Sequence, residues 1–308
     1  MKKSRIILLA ILAIILVVTT AIFSYRSNMI SKAKTGYLVY ADETVNVINL
    51  ETTTKTEYNV DGYSELRCIG KYYGGDFCCV AKNNVTESYE ILLFKNGVIE
   101  KSHPFSDDYA SVAAYNDKVY YLIWDSSNKG DLVCISNDEN SIIESDVKSF
   151  ALNSNGALAY VKHIPTKDNG IYGDLYYLEN GNTTKLGEAI SAIWLSDNEL
   201  SVDTETITES SDSKVTSHIF EEYIVSVSNN EWTFSKEFNR IPNVIEFSPD
   251  GKKAMVYGET DLNTPFLGIY IIEKNICDKD CIYNGTDNKE IFADMSLGVL
   301  WLDTNPME

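Results

Sequence analysis

The apolar positions of this chain fall into two regimes. From Ile6 to Phe23 they are continuous, "IILLAILAIILVVTTAIF", with no charge, proline or glycine. From Gly36 onward they come in short stretches, rich in Val, Ile, Tyr and Phe, that stop at Gly, Asn or Asp pairs and then resume. The first pattern has the length of a helix that spans most of a bilayer core. The second is that of β-strands joined by tight turns.

"VIEFSPDGKKAMVYG", Val244 to Gly258, shows the recurring unit. An apolar alternation runs into Ser248-Pro249-Asp250-Gly251, reverses, and leaves as a second alternation. Comparable turns stand at Gly74-Gly75, Asn116-Asp117, Asn155-Gly156 and Asp197-Asn198. Together they recur about every 40 to 53 residues, the period of propeller blades. Gly, Asn and Asp tolerate the positive φ that a two-residue hairpin demands, so each pair predicts a first strand turning into a second. Third and fourth strands follow, as in "YEILLFKNGVIEK" with its turn at Asn96-Gly97, "GDLYYLENGNTTKLG" at Asn180-Gly181 and "EEYIVSVSNNEWTFSK" at Asn229-Asn230.

The two ends complement each other. "GYLVYADETVNVINLETTTKTEY", Gly36 to Tyr58, reads as a second, third and fourth strand without a first, and "GVLWLDTNP", Gly298 to Pro306, has the first-strand pattern of "SAIWLSDNE". The expected fold is all-β: a six-bladed β-propeller of four-stranded antiparallel blades, the ring closed by N- and C-terminal strands. The blades fall at 36–60 with 293–308, 61–103, 104–146, 147–190, 191–239 and 240–292. Such closure leaves no open sheet edge.

Phe247-Ser248-Pro249-Asp250-Gly251-Lys252-Lys253-Ala254 resembles the F-S-P-D-G-K-x-hydrophobic repeat of WD40-like, TolB-type propellers, with degenerate copies at Leu152 to Ala157 and Leu195 to Glu199. Looser blades such as "YNDKVYYL" resemble propellers of Gram-positive envelope proteins. The resemblance implies that Ser248, Pro249, Asp250 and Gly251 form a structural turn motif and carry no catalysis. The additional N-terminal domain of TolB-type proteins, and the hydrolase domain that follows some peptidase propellers, have no counterpart in this sequence.

Met1-Lys2-Lys3-Ser4-Arg5 before the apolar run adds a location. A cytoplasmic tail at 1–5, a transmembrane signal anchor at 6–24, a linker at 25–35 and a propeller at 36–308 follow from the length of the run and the density of positive charge on its near side. A cleaved signal peptide competes, with Thr19-Thr20-Ala21 as its cleavage site. The expected location is the cell membrane, single-pass, with the C-terminal domain outside the cytoplasm.

The formal net charge is −19, and all 45 acidic residues follow Lys34. That balance excludes nucleic acid as a partner of the domain. Solubility accounts for it; a basic partner is the sharper alternative.

Candidate chemistry is sparse. His103, His163 and His218 lack metal-ligand spacing, and the chain has no G-x-S-x-G, P-loop or dinucleotide fingerprint. No catalytic residue, cofactor or metal ligand is therefore assigned. Asp278, Asp280 and Asp287 lack the order of an EF-hand. Cys277 and Cys281 form a candidate disulfide, and Cys68 faces Cys78 or Cys79 across one hairpin, while Cys134 reads as a buried thiol. Asp203 to His218, acidic and rich in Ser and Thr, reads as a mobile loop. Trp124 and Trp194 are the aromatic residues placed to meet a polysaccharide or peptide. The predicted first strands carry Arg67, Lys71, Ser149, Glu246 and Asp303, a thin and unmatched polar set. The expected function is a membrane-tethered binding or scaffolding module for a protein or cell-wall ligand. The alternative is a channel-site enzyme acting on envelope glycans or peptides.

Overall fold

The computed structural model describes residues 17–22, 24–25, 34–107, 110–164, 173–209, 216–235, 244–259, 265–272, 276–284 and 298–308. The first sheet contains β1 (Tyr37–Asp42), β2 (Thr44–Asn49) and β3 (Thr54–Tyr58). Next come β4 (Tyr63–Tyr73), β5 (Phe77–Asn83), β6 (Tyr89–Lys95) and β7 (Val98–Phe105), then β8 (Ser111–Tyr115), β9 (Lys118–Leu122), β10 (Gly130–Ser136) and β11 (Glu139–Leu152). After these run β12 (Leu158–His163), β13 (Gly173–Glu179), β14 (Asn182–Ala189), β15 (Ser191–Ser196), β16 (Glu199–Glu209), β17 (Thr216–Ser226) and β18 (Glu231–Phe234). The last are β19 (Val244–Phe247), β20 (Lys253–Glu259), β21 (Pro265–Ile271), β22 (Ile276–Asn284) and β23 (Leu300–Leu302).

Consecutive strands pair antiparallel in fours, as the turn chemistry demands. Three sheets have the orders β23-β1-β2-β3, β15-β16-β17-β18 and β19-β20-β21-β22. The intervening strands form one continuous sheet, because β11 serves two units. Its first half pairs with β10 and its second half with β12, the change falling at Val147. Neighbouring units also touch directly, Tyr72 and Tyr73 of β4 lying parallel to Ala114 and Tyr115 of β8. The expected partnership of the chain ends is present, with Tyr37 opposite Leu302, Leu38 opposite Trp301 and Val39 opposite Leu300.

Packing explains why some strands read as unbroken apolar runs. Leu38, Val39, Tyr40 and Ala41 of β1 are all buried. Alternate side chains enter different cores: Leu38 and Tyr40 join Met255 and Ile269, whereas Val39 and Ala41 join Phe77, Leu92 and Phe94. A sheet covered on both faces needs apolar residues at both parities. Phe77 and Phe94 stack with ring centroids 4.5 Å apart, and each such side chain contributes about 1.5–3 kcal/mol of burial. The remaining cores join β4–β7 to β8–β10, β8–β11 to β12 and β13, β12–β14 to β15–β18, and β15–β17 to β19–β21.

Two expectations need correction. Residues 17–22 and 24–25 are helical, and residues 1–16 lie outside the described residues. Among the described residues no helix is long and apolar enough to cross a membrane. The single-pass anchor at 6–24 and the cell-membrane location drawn from it are therefore not supported. The second correction concerns Asp203 to His218. Its flanks are strand: β16 and β17 pair in register from Glu199↔Ser226 to Glu209↔Thr216. The closing residues 210–215 lie outside the described part.

Candidate functional site

The best-preserved turn shows how the sequence builds the ends of the innermost strands. Phe247 pairs with Ala254, and between them Ser248 N–H donates to Lys253 O at 2.9 Å while Gly251 N–H returns to Ser248 O at 2.8 Å. Gly251 has φ +67°, which glycine adopts without strain. Ser248 Oγ lies 2.7 Å from Asp250 Oδ1 and accepts Lys253 N–H at 3.0 Å, and Asp250 Oδ1 accepts Lys252 N–H at 3.1 Å. Burial alone would raise the Asp250 pKa. The Ser248 and Lys252 hydrogen bonds and the nearby lysines outweigh it and hold the carboxyl below its usual range.

The degenerate copy at Asn153 uses an amide for the same task. Asn153 Oδ1 accepts Asn155 N–H at 3.0 Å and Ala157 N–H at 2.8 Å. Its Nδ2 donates to Asp197 O at 3.3 Å, tying two turns together, and Ser154 Oγ donates to Asp197 Oδ1. Asp76, beside Gly74-Gly75, accepts Asn96 N–H on Oδ2 at 2.6 Å.

These turns rim a cavity of about 600 Å³, walled by Tyr72, Tyr73, Trp194, Phe247 and Trp301 and edged by Asp76, Ser154, Asp197 and Asp250. An adjoining cavity of about 480 Å³ continues inward. Its walls come from β4, β8, β11, β15, β19 and residues 298–300. The two share Lys71, Trp194 and Leu300. The innermost strands crowd this axis, since a Cβ on Gly70 would stand 1.8 Å from Val112 O.

Lys71 and Glu246, read from sequence as unmatched, are partners here, Nζ to Oε1 at 3.2 Å. Glu246 Oε1 also accepts Phe247 N–H at 2.9 Å. The Glu246 charge raises the Lys71 pKa against the opposing effect of burial. Tyr73 is raised by burial, with Glu246 and Asp197 adding to it and Lys71 opposing. Arg67 instead pairs with Glu65 at 3.2 Å. Among the described residues no group of three His, Cys, Asp or Glu side chains could hold a metal ion.

The other singled-out residues lie elsewhere. All four tryptophans donate Nε1–H to backbone carbonyls: Trp124 to Lys148, Trp194 to Ala151, Trp232 to Leu186 and Trp301 to Thr35. Trp194 lines the cavity with its ring but has no indole N–H to offer a ligand, and Trp124 is not on the cavity wall. His103 is fully buried on β7, 3.3 Å from Asp138 Oδ1, and burial lowers its pKa. Cys68, Cys78, Cys79 and Cys134 are buried and not disulfide-bonded, so the cross-hairpin bridge is absent. Burial pushes the Cys78 and Cys79 thiols far up, which makes them poor nucleophiles. The side chains of Cys277, Cys281, Asp278, Asp280 and His218, and the whole of Asp287, lie outside the described part of the structure.

No family model matches the chain, and no curated protein matches it. Among solved structures it is similar to a putative TolB from Agrobacterium tumefaciens, at 8% identity and a TM-score of 0.44, covering 79% of this chain and 87% of that one. It is similar to a chain of the mitotic checkpoint complex, at 11% identity and 0.45, covering 81% and 74%. A puromycin hydrolase mutant complexed with PGG gives 10% identity and 0.43 over 78% of this chain. The chain spans 44% of that hydrolase's length. At such identities and TM-scores the likeness is one of strand arrangement, and the repeated four-strand pairing stands independently of it.

Proposed function

We propose that residues 36–308 form a closed six-bladed propeller whose cavity mouth, at the turns leaving the innermost strands, is a binding site for a protein or cell-wall ligand. Six wall segments around one axis and an unbroken succession of cores, from the first sheet through to the last and back, support the ring. Ser248, Pro249, Asp250 and Gly251 are assigned a structural role in holding one side of that mouth.

The observation that carries binding over catalysis is how the mouth's polar groups are employed. Asp250 caps its own turn, Asp76 holds Asn96 N–H, Asp197 holds Ser154, and Glu246 holds Lys71. A general base or nucleophile needs a partner poised for proton transfer to a substrate. Carboxylates spent on turn bonds and one ion pair instead make a rigid, shaped recess on a scaffold.

A photo-crosslinking amino acid placed at Ser154, on the mouth, and in a separate variant at Thr86, at the opposite end of β5, tests this in the full-length chain. Capture of the same protein or wall fragment from Ser154 and not from Thr86 is the expected result. Turnover of wall oligosaccharides or peptides by the purified chain would overturn it.

A further inference from the structure

We infer that the mouth takes a cationic side chain, the ammonium or guanidinium of a lysine or arginine in a partner peptide. This inference rests on the binding reading above and adds the chemistry of what is bound.

The first ground is charge at the wall. Asp76, Asp197 and Asp250 edge the outer cavity, and Glu246 stands on the inner one. Lys71 is the sole cation among the described wall residues, and Glu246 neutralises it at 3.2 Å. Asp76 and Asp197 are left without a counter-ion on the wall, and Asp250 has only the lysines of its own turn, Lys252 and Lys253, near it. Each turn bond also uses only one carboxylate oxygen. Asp76 accepts through Oδ2, Asp197 and Asp250 through Oδ1, so each keeps a second oxygen with no hydrogen bond among the described residues. Around them the same turns and strand starts add Asp117, Glu199 and Asp303 against Lys118, Lys252 and Lys253. Field lines in a recess with low-dielectric walls concentrate at such a mouth and favour a cation.

The second ground is the aromatic wall, independent of the carboxylates. Lys and Arg carry long apolar stems that pack along ring faces while the charged head reaches polar groups. The protein already makes this contact with its own chain: Lys253 Nζ lies 5.4 Å from the Trp301 ring centroid and donates to Thr35 Oγ1 at 2.9 Å. Lys253 thus occupies Trp301, which leaves the Tyr73, Trp194 and Phe247 side of the cavity for an incoming stem. A volume of about 600 Å³ suits one extended side chain and its flanking backbone. A metal ion is a poorer occupant, since no three of these ligands among the described residues lie close enough to share one.

The test uses the full-length chain and four blocked octapeptide libraries that differ only at one fixed position, occupied by Lys, Arg, norleucine or Glu. Binding is read by the fluorescence of the wall tryptophans and by calorimetry at low and physiological salt. The expected result is that Lys and Arg libraries bind about tenfold tighter than norleucine, weaken with salt, and lose that margin in D76N/D197N. Asp→Asn at these sites keeps a carbonyl oxygen for the turn bond while removing the charge. The exposed D131N variant is the control, and circular dichroism checks that each variant is folded.

Norleucine or Glu binding as tightly as Lys, with the signal still coming from the mouth, would overturn the cation inference and leave the binding module standing. Absence of binding by every library, together with crosslinks from Ser154 to a glycan alone, would overturn the peptide inference while the mouth survives as a site. Turnover of peptides or glycans would overturn both.

Discussion

Lys71 Nζ on β4 lies 3.2 Å from Glu246 Oε1 on β19, which joins two strands far apart in the chain across the cavity at the axis. Glu246 is 8% exposed, so its carboxylate depends on that ammonium and on Phe247 N–H for solvation. Removing one partner of a largely buried pair leaves an uncompensated charge, while replacing both is far milder. Lys71 is about one-third exposed, so the expected loss is discounted to about 2 kcal/mol for Lys71→Met. Lys71→Met/Glu246→Gln should recover more than half of it in urea titrations. The Lys71 pKa is raised in the fold, so this contribution is present below the unfolded lysine value and disappears as pH rises through the folded one. Wild type and Lys71→Met should therefore converge in stability at strongly alkaline pH.

Gly70 sits one residue earlier, where β4 meets β8. A Cβ there would be 1.8 Å from Val112 O, and Gly70 O accepts the buried Cys78 thiol at 3.4 Å. Gly70→Ala cannot be relieved by rotating a side chain, because the obstacle is backbone. A loss of about 3 kcal/mol or more is expected. Calorimetric unfolding measures it, and a Tm within a degree of wild type would contradict the close approach.

The two versions of the turn should differ in strength. Ser248→Ala removes the acceptor of Lys253 N–H and the bond to Asp250, a cost of about 1–2 kcal/mol. Asn153 is 2% exposed, accepts two backbone N–H groups, and reaches Asp197 O in the next unit. Asn153→Ala should cost more, about 2–4 kcal/mol, because the buried Ala157 N–H and the part-buried Asn155 N–H both lose their acceptor. Chemical denaturation of the two variants gives the order directly.

The turn chemistry was legible because Gly, Asn and Asp pairs announce a positive φ locally, and the Pro-Asp-Gly of Ser248 to Gly251 does so most clearly. The change of partners along β11 at Val147 falls where the repeat period placed a boundary. Lys71 and Glu246 could not be paired from sequence, since nothing local links two residues brought together only by the packing of inner strands. Asp203 to His218 was misread for another reason. A ribbon of Thr, Glu and Ser lacks the apolar alternation that marks a half-buried strand, although Thr favours extended backbone. The turn motif and its degenerate copies supply stretches of the mouth, but nothing local to any one of them shows that they converge on a single cavity.

Glu222 offers a pH test on that ribbon. It is 9% exposed, faces Asp203 across the β16–β17 pair, and accepts the Ser201 hydroxyl. Burial raises its pKa to about 7, Ser201 opposing and Asp203 adding. An acid raised in the fold holds its proton there more tightly than in the unfolded chain. Its contribution is most favourable below the unfolded value and is lost as pH rises through about 7. Glu222→Gln should therefore be near neutral at pH 4 and stabilising above pH 7, by up to about 3 kcal/mol before relaxation and solvent screening reduce it. Tm differences between variant and wild type across that range measure the effect. A constant difference would contradict it.

Trp301 bears on the pairing of β23 with β1. β23 contributes only Leu300, Trp301 and Leu302 to the edge of β1, so few ladder bonds hold it. The strand is kept by its side chains: Trp301 is 4% exposed among Leu38, Tyr40 and Met255, and its indole N–H reaches Thr35 O at 3.0 Å. Trp301→Phe keeps the ring and loses that bond, so about 1–2 kcal/mol is expected, against about 3–5 kcal/mol for Trp301→Ala. Hydrogen exchange should then report how far the β1–β23 pairing acts. Loosening β23 exposes the edge of β1, an apolar strand whose residues 38–41 are otherwise covered on both faces. Amides of β1 and β2 should lose most protection in Trp301→Ala, and β20 should follow because Met255 shares their core, while β13, on the far side of the strand order, should lose least. Equal loss at β13 would mean that the described sheets open as one cooperative unit and that Trp301 fastens more than its own sheet.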